Sequence, residues 1–396
     1  MSPLLGLKPV LELRAERLVA GGDALARDDT GRVVFVTGAL PGELVRARLV
    51  AEWRDYARAV VDEVVDSSPA RTMPPCSFHV AGCGGCAWQH IEPAAQRELK
   101  RGIVAEALAR TGGLPDADIR FGAALAPWGF RTTVRMAVEG DRLGFRAAQR
   151  HDVVPVDACL VAHPLLADVI AETRAPGATE VTLRCGVRSG ERLALTDPPA
   201  ANAKLSVPAG VAIGPDAAVH EVVAGERVRI SARSFFQTRL DGAEALVAAV
   251  REAAGPIAAS STIVDAYTGV GLFAATLGHD AHVVGIEQAA SSCRDARHNL
   301  SGRSAAIVQG KVEHWPPRPA DLVIADPSRR GLGSNAVDVL VATGAPRLVL
   351  VSCDAVALAR DARLLASAGY RLGVGTLIDL FPQTPHIEIV SAFDRE

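Results

Sequence analysis

The feature that most constrains the fold of this chain is a change of sequence period near Asp241. Downstream of that residue, short apolar segments alternate with helical ones, and the apolar segments are TIVDA, HVVGIE, AAIVQ, DLVIAD and RLVLVSC. Buried strands that alternate with helices are typical of a doubly wound sheet, because parallel strands need a long crossover connection. We therefore predict a Rossmann-like α/β domain over residues 226–396.

The first part of the chain shows the alternation of apolar and polar residues that marks half-buried β-strands. Between residues 10 and 66, four such runs are separated by Gly-Asp, Asp-Asp and Pro-Gly turn pairs. Short antiparallel strands of this kind close most simply into an OB-like barrel, with a β-sandwich lobe as the alternative. The prediction is a small β-domain over residues 1–69.

Residues 70–225 form the middle of the chain and begin with a cysteine-containing segment. Residues 91–112 have the pattern of one amphipathic helix that ends at a Gly-Gly pair, and we expect it to pack on the C-terminal domain. Strand-like runs dominate again from about residue 121 to residue 233. These patterns predict a central β-rich domain.

The composition excludes several classes of protein. No apolar run reaches the roughly 18–20 residues of a membrane helix. The first residues lack the pattern of a secretion signal, so we expect a cytoplasmic protein. The net charge of −3 argues against binding to nucleic acid by overall charge alone. Seven cysteines in a cytoplasmic chain favour metal or catalytic groups over disulfides.

A cluster of cysteines follows the N-terminal domain. Cys76, Cys83 and Cys86 lie within eleven residues, and Cys159 is a distant candidate for a fourth ligand. Thiolates at such spacing bind soft metals, either zinc or an iron–sulfur cluster. Spacing alone favours zinc as the commoner metal.

A Gly-rich turn follows the first strand of the α/β domain. It has the sequence DAYTGVG from Asp265 to Gly271, and the next strand ends in Glu287. Glycines at such a turn let the backbone approach a ligand, and an acid at the end of the next strand commonly holds ribose hydroxyls. Dinucleotide binding is one interpretation, and binding of S-adenosylmethionine, favoured by Asp265, is the other.

Two reactive side chains follow later strands of the same domain. Asp326 opens an Asp-Pro pair after the fourth strand, and Cys353 follows the fifth. Since binding groups gather at the carboxyl ends of strands in open α/β sheets, we expect both to meet Asp265 and Glu287 there. A cysteine at this edge is a candidate nucleophile, with an ordinary buried cysteine as the alternative.

A carboxylate near the C-terminus is a candidate for the same edge. The segment DLFPQTPHIEIV contains Glu388 in a predicted strand, with His386 on the same side and Ile387 on the other. Glu388 is therefore free to line a pocket, and the pattern is equally consistent with a solvated surface carboxylate.

Taken together, these motifs resemble the RNA uracil-C5 methyltransferase family, the S-adenosylmethionine-dependent enzymes that make 5-methyluridine in ribosomal or transfer RNA. The resemblance covers nearly the whole chain, with seven motifs in order. It implies a class I methyltransferase domain, a TRAM domain as the OB-like barrel, and a [4Fe–4S] cluster on the four cysteines in place of zinc. The residues that it implies for cofactor contact are Gln237 of the Ser-Phe-Phe-Gln motif, Tyr267, Gly269, Glu287 and Asp326.

The same resemblance implies a reaction and a substrate. Cys353 would attack C6 of a uridine, and Glu388 would remove the proton from C5. The target base is expected to be flipped out of its stack, since the nucleophile cannot reach it otherwise. Ribosomal 23S RNA is favoured over transfer RNA as the substrate. A monomer without an obligate protein partner is expected.

The chain departs from the usual motifs of this family at Thr268, Leu272, Ser328 and Asp354, and none of these removes a group that the chemistry requires. Three rival functions stay open. An RNA cytosine-C5 methyltransferase typically has a cysteine in the fourth-strand motif, where this chain has Pro-Ser. A non-catalytic iron–sulfur RNA-binding protein would not need nucleophile, base and cofactor loop together, and a small-molecule methyltransferase leaves the barrel unexplained.

Overall fold

The computed structural model describes residues 9–148, 150–198 and 204–396. Its strands form an N-terminal barrel, a six-stranded central sheet, a two-stranded hairpin and an eight-stranded C-terminal sheet. This confirms the predicted α/β class with a Rossmann-like C-terminal domain. None of the helices in these ranges combines the length and the apolar character that a membrane span requires.

The barrel is a closed sheet of six strands. Its strands are β1 Val10–Arg14, β2 Arg17–Leu18, β3 Ala24–Arg27, β4 Val33–Thr37, β5 Leu44–Glu52 and β6 Tyr56–Asp66. β1 and β2 form one bent strand that pairs with β5 at one end and with β3 at the other, which closes the sheet. β4 and β6 are parallel, and the other pairs are antiparallel. This is the OB-like topology that the sequence predicted.

Three short elements lead from the barrel to the central sheet. They are helix α1 (Ser77–Val80), helix α2 (Pro93–Ala107) and strand β7 (Ile119–Phe121). A π-helical turn, Leu108–Gly112, extends α2 to the end of the helix predicted over residues 91–112. Proline suits the first helical position of α2, because its missing N–H needs no partner there.

The central sheet has the strand order β10-β9-β8-β11-β12-β13. Its elements are β8 Thr133–Glu139, β9 Arg142–Arg146, β10 Val153–Pro155, α3 Ala167–Glu172, β11 Glu180–Cys185, β12 Arg192–Asp197 and β13 Val211–Ile213. Alternate residues of β8 and β11 face one side of a sheet. On that side Val134 lies opposite Leu183, and Met136 lies opposite Val181. These four side chains are buried and share a core with residues of α3.

The C-terminal domain has a hairpin, five helices and the large sheet. Its elements are β14 Ala218–Val223, β15 Glu226–Ser231, α4 Leu240–Ala254, β16 Thr262–Ala266, α5 Leu272–Leu277, β17 His282–Glu287, α6 Ala290–Asn299, β18 Ala305–Gln309, β19 Leu322–Ala325, α7 Gly333–Val341, β20 Arg347–Ser352, α8 Ala355–Ser367, β21 Tyr370–Leu377 and β22 Ile389–Arg395. The sheet order is β18-β17-β16-β19-β20-β22-β21-β7. The first five strands are parallel, and β22 is antiparallel to both of its neighbours.

Two segments of the middle of the chain pack with this C-terminal sheet. β7 pairs with β21 at its edge, and Gly112 lies so close to α8 that a Cβ there would come within 3.3 Å of the carbonyl oxygen of Ala359. The hairpin β14–β15 buries Val219 and Val228 in the same core as α4 and β16. The predicted boundary between residues 225 and 226 falls inside this hairpin, because contacts between distant segments leave no signal in local period.

Candidate active site

The carboxyl ends of four parallel strands bring the predicted site residues to one edge of the sheet. Asp265 lies near the end of β16, and Glu287 ends β17. Asp326 follows β19, and Cys353 follows β20. The registers of these strands are aligned, with Ala266 of β16 opposite the last residue of β19. As expected for an open α/β sheet, the reactive groups lie where the strand order reverses.

Glu388 reaches the same edge from the antiparallel side. The last register pair between β20 and β22 joins Ser352 to Ile389. The sequence predicts Glu388 within a strand, but it lies one position before β22, because the ladder ends at Ile389. Its side chain is only 4% exposed, which contradicts the alternative of a solvated surface carboxylate.

Burial and charge disfavour ionisation of the cysteine and the carboxyl groups at this edge. Burial, Glu388 and Asp326 raise the pKa of Cys353 to about 12, and Arg329 acts against this shift. Burial and then Asp326 raise the pKa of Glu388 well above its usual range. Burial and the nearby Asp265 raise the pKa of Asp326 to about 7. The groups therefore compete for negative charge, a common property of catalytic sites.

An arginine and a histidine form the rim of this cluster. Nη2 of Arg329 lies 3.1 Å from Nε2 of His386. Burial and the Arg329 charge lower the pKa of His386 to about 4, so its ring is neutral near pH 7 and accepts a hydrogen bond from the guanidinium. The ring of Phe381 meets that of His386 edge-on at 6.0 Å. Arg329 is not among the site residues predicted from the sequence, and only its place shortly after Asp326 could have indicated it.

The Gly-rich loop between β16 and α5 adopts a backbone that suits glycine. Gly269 and Gly271 have φ of +57° and +88°, and Tyr267 has φ of +63°. Oε2 of Glu287 accepts a hydrogen bond from the amide of Gly269 at 3.1 Å. A Cβ at Gly269 would meet nothing within 4 Å, so the loop is open on that side.

Asp265 is the buried anchor of this loop. Its Oδ2 accepts hydrogen bonds from the Thr268 hydroxyl at 2.7 Å and from the amide of Ala274 at 3.0 Å. Its Oδ1 is buried and has no hydrogen-bond partner among the described residues. Burial raises the pKa of Asp265 to about 7. The orphaned oxygen and the open loop fit a polar ligand with N–H or O–H donors.

Of the four residues that depart from the usual family motifs, three have an identifiable structural role. Thr268 donates to Asp265, as above, and Leu272 is buried in the core beside α4. Asp354 caps α8, because its carboxylate accepts a hydrogen bond from the amide of Ala357 at 2.8 Å. Ser328 is exposed, and nothing in the structure explains why serine occupies this position.

Gln237 enters the site from the segment before α4. The side chain is buried, and its Nε2 lies 3.4 Å from Oδ2 of Asp326. The segment is held in place by Ser234, whose hydroxyl donates to Asp295 of α6 at 2.6 Å and whose carbonyl accepts from Arg184 at 2.8 Å. Asp295 and Arg184 could not be predicted from local pattern, because each is separated from Ser234 by at least 50 residues.

The predicted cysteine site is a cavity between α1 and the central sheet. Cys76, Cys83, Cys86 and Cys159 line a single cavity of about 180 Å³, together with Arg131. In the described part of the chain, no group of three or more His, Cys, Asp or Glu side chains is arranged to hold a metal ion.

The surroundings of these cysteines are buried and include one arginine, Arg131. Burial raises the pKa of Cys86 to about 11 and raises the pKa values of Cys83 and Cys159. Nε of Arg131 is buried without a hydrogen-bond partner in the described residues. By their chemistry, four soft thiols and one unpartnered cationic donor around a cavity fit a soft metal or a metal–sulfur centre.

A parallel sheet of this order, with an antiparallel strand beside its fifth parallel strand, is the fold of class I methyltransferases. The same fold occurs in the crystal structure of the Pyrococcus abyssi tRNA (uracil-54, C5)-methyltransferase, with a TM-score of 0.74 and 22% identity over 97% of this chain and 100% of that one. No protein-family model matches the chain.

Sequence relatives extend over almost the whole length. An uncharacterised RNA methyltransferase of Streptomyces avermitilis is 35% identical, covering 94% of this chain and 95% of the relative. The 23S rRNA (uracil(1939)-C(5))-methyltransferase RlmD of Chromohalobacter salexigens is 31% identical, covering 97% and 89%. The chain belongs to the RNA methyltransferase family, which includes these uracil-C5 enzymes.

Proposed function

We propose that this protein methylates C5 of a specific uridine in structured RNA with S-adenosylmethionine, and that 23S ribosomal RNA is its substrate class. The observation that carries the proposal is the placement of Cys353 beside Glu388 at the edge of the sheet, with Asp326 and Arg329 next to them. A binding protein has no need of a buried thiol and a buried carboxyl group at one edge whose pKa values are both raised, that of Cys353 in part by Glu388 and that of Glu388 in part by Asp326.

Cys353 is the proposed nucleophile. C5 of uracil is a weak nucleophile, and addition of the thiolate to C6 makes it carbanion-like. Arg329 favours the thiolate, since its charge lowers the pKa of Cys353. S-adenosylmethionine, when bound, supplies the methyl group that C5 takes up.

Glu388 is the proposed base for the last step. It accepts the proton from C5, the electrons of that C–H bond restore the C5=C6 double bond, and the C6–S bond breaks with its electron pair on sulfur. The same burial that raises the pKa of Glu388 makes its carboxylate a stronger base than one in water. The free thiolate of Cys353 then completes the cycle.

Five residues would hold the cofactor in this proposal, namely Gln237, Tyr267, Gly269, Glu287 and Asp326. The orphaned Oδ1 of Asp265 and the open side of the Gly-rich loop support a polar ligand here. Glu287 ends β17. An acidic residue at this position commonly accepts hydrogen bonds from ribose hydroxyls.

The barrel and the cysteine cavity are assigned roles on the same proposal. The barrel acts as a TRAM-type RNA-binding module, and the target uridine is flipped into the site. Cys76, Cys83, Cys86 and Cys159 hold a [4Fe–4S] cluster, and zinc is the alternative. The single cavity lined by all four thiols and by Arg131 supports the cluster.

The choice of RNA depends on the relatives. RlmD enzymes of Chromohalobacter salexigens and Alkalilimnicola ehrlichii, named for 23S rRNA, are 31% and 30% identical to this chain. The solved enzyme named for tRNA is 22% identical. We therefore propose ribosomal RNA as the substrate, with transfer RNA as the alternative. We also propose that the protein acts as a monomer in the cytoplasm.

The test is release of tritium from transcripts labelled at C5 of uridine, incubated with S-adenosylmethionine. One set covers 23S rRNA in fragments, another is unmodified tRNA, and Cys353→Ala is the control. We expect release from one 23S fragment only, with none from Cys353→Ala. Release from tRNA alone would show that tRNA, and not 23S rRNA, is the substrate. No release from any transcript with cofactor-loaded protein would reject uracil-C5 chemistry on these RNAs.

A further inference from the structure

We infer that Gln96 and Lys100, two buried side chains of α2, are positioning residues for the base: they hold the loop that carries Glu388. This loop, residues 379–388, is called the base loop below. The inference rests on the proposed function, because it concerns the step in which Glu388 accepts the C5 proton.

Gln96 is fully buried and forms a reciprocal pair with Gln383 of the base loop. Its Nε2 donates to Oε1 of Gln383 at 3.0 Å, and its Oε1 accepts from the amide of Gln383 at 2.7 Å. The backbone of Gln383 has φ of +67°, in the left-handed region that disfavours residues other than glycine. The two hydrogen bonds therefore stabilise a loop conformation that the loop itself disfavours.

Lys100 lies one turn further along α2 and is also fully buried. Its Nζ lies 2.7 Å from Oδ1 of Asp379 and donates to the carbonyl oxygen of Phe381 at 2.9 Å. A buried cation is stable only when it is paired and hydrogen-bonded, so Lys100 and Asp379 depend on one another. The two α2 side chains thus hold both the start and the middle of the base loop.

The cysteine-containing segment contacts the same loop. The amide of Trp88, two residues after Cys86, donates to the carbonyl oxygen of Gln383 at 2.9 Å. Nε2 of Gln96 also lies 3.1 Å from the carbonyl oxygen of Trp88. The barrel approaches as well, since a Cβ at Gly22 would come within 2.5 Å of Pro385. The base loop is therefore held by three elements outside the C-terminal sheet.

The consequence is a separation of two steps of the reaction. Cys353 follows β20, a central strand of the sheet that is not part of the base loop. Glu388 ends the base loop, so a loosened loop displaces the base but leaves the nucleophile in place. Addition of Cys353 to uracil then proceeds, and removal of the C5 proton slows, because a misplacement of about 1 Å can reduce a catalytic rate about 100-fold.

The experiment compares three variants in full-length protein with the RNA found to be methylated. Gln96→Leu removes the reciprocal pair. The double variant Lys100→Met/Asp379→Leu removes both charges, so that neither is left buried without its partner. It tests the inference independently if Gln96→Leu fails to fold. Glu98→Gln, an exposed residue of the same helix that pairs with Arg101, is the control.

Two rates are measured in single turnover: formation of the SDS-stable protein–RNA adduct, and release of tritium from C5. In the folded test variants we expect adduct formation within about threefold of wild type and release slowed about 10- to 100-fold, so that the adduct accumulates. Glu98→Gln should behave like wild type.

Equal loss of both rates, or no change in either, would overturn the inference while leaving the proposed function intact. Absence of adduct and of release in the wild-type protein would reject the proposed function itself, and the inference with it. A change in the release rate alone is an outcome that a general loss of stability would not produce.

Discussion

Cys353 and Glu388 face each other directly beyond the last register pair of an antiparallel ladder. That pair joins Ser352 of β20 to Ile389 of β22, and each reactive residue lies one position further out. Positions that face each other across such a pair share a side of the sheet. The ladder therefore brings Cys353 and Glu388 to the same side of the sheet, which agrees with the effect of Glu388 on the pKa of Cys353, while the base loop holds Glu388 from its other side.

Replacement of Glu388, the proposed base, should separate methyl transfer from release of the product. In Glu388→Gln the side chain keeps its size but cannot accept a proton, so we expect turnover to fall about 10²- to 10⁴-fold. The adduct between Cys353 and RNA should accumulate and be visible on denaturing gels. Glu252→Gln, an exposed carboxylate that pairs with Arg120, is the matched control. Turnover close to wild type in Glu388→Gln would remove this residue from the mechanism.

The reactivity of Cys353 should respond in opposite directions to its two charged neighbours. Arg329 lowers its pKa and Glu388 raises it. At pH 8 in the absence of RNA, Arg329→Gln should slow alkylation of Cys353 by iodoacetamide, and Glu388→Gln should accelerate it, because the thiolate is the reactive form. Mass spectrometry gives the rate at this cysteine. Arg330→Gln, next to Arg329 in the chain, should have no effect, and changes of the same sign in the two test variants would contradict the charge arrangement.

The stability of the fold should depend on the charge of Asp265. Its pKa is raised from 3.8 to about 7, so the folded chain binds this proton more tightly than the unfolded chain does. The tighter binding of this proton adds to the free energy of unfolding. Its contribution is fully present below about pH 4 and is lost as the pH rises to 7. Asp265→Asn should therefore be more stable than wild type at pH 8, by about 2–4 kcal/mol, and the difference should shrink towards pH 4. Urea unfolding of the two proteins at both pH values measures it. An equal difference at both values would show that folding does not raise the pKa of Asp265.

The metal centre should be an iron–sulfur cluster. Protein purified without oxygen should contain about four iron and four sulfide per chain, and Cys86→Ala or Cys159→Ala should lose them. Cys185→Ala, a buried cysteine on β11 outside the cavity, should retain them. One zinc per chain, lost in the same variants, would favour the alternative metal.

An exposed aromatic pair on the barrel should contribute to RNA binding. Trp53 is 47% exposed and stacks on Tyr56 at 4.5 Å between β5 and β6. Stacking of a base on an aromatic side chain is worth about 1–3 kcal/mol. Trp53→Ala should thus weaken binding of the substrate RNA about 5- to 100-fold with an unchanged unfolding midpoint. Val65→Ala, an exposed apolar residue of β6, is the control. Unaltered affinity in Trp53→Ala would show that this aromatic pair does not contact the RNA.

The position of the site could be predicted from the sequence because it depends on local pattern. Apolar segments that alternate with helices predicted parallel strands, and such strands present the residues that follow them at one edge. Asp326 and Cys353 are there, as expected. The closure of the barrel was predicted in the same way, from alternation and turns. In contrast, Glu388 could equally have been a surface residue, since its burial depends on packing across the base loop.

What holds these residues in place was decided only by the tertiary structure. Gln96 and Gln383 are separated by 287 residues, and Ser234 and Asp295 by 61. β7, only three residues long, is a strand because β21 offers an edge. The type and spacing of residues can be seen in the sequence, and they determine which chemistry a residue can perform. Which distant residue it contacts depends on the packing free energy of the whole molecule, and local sequence pattern carries no information about that.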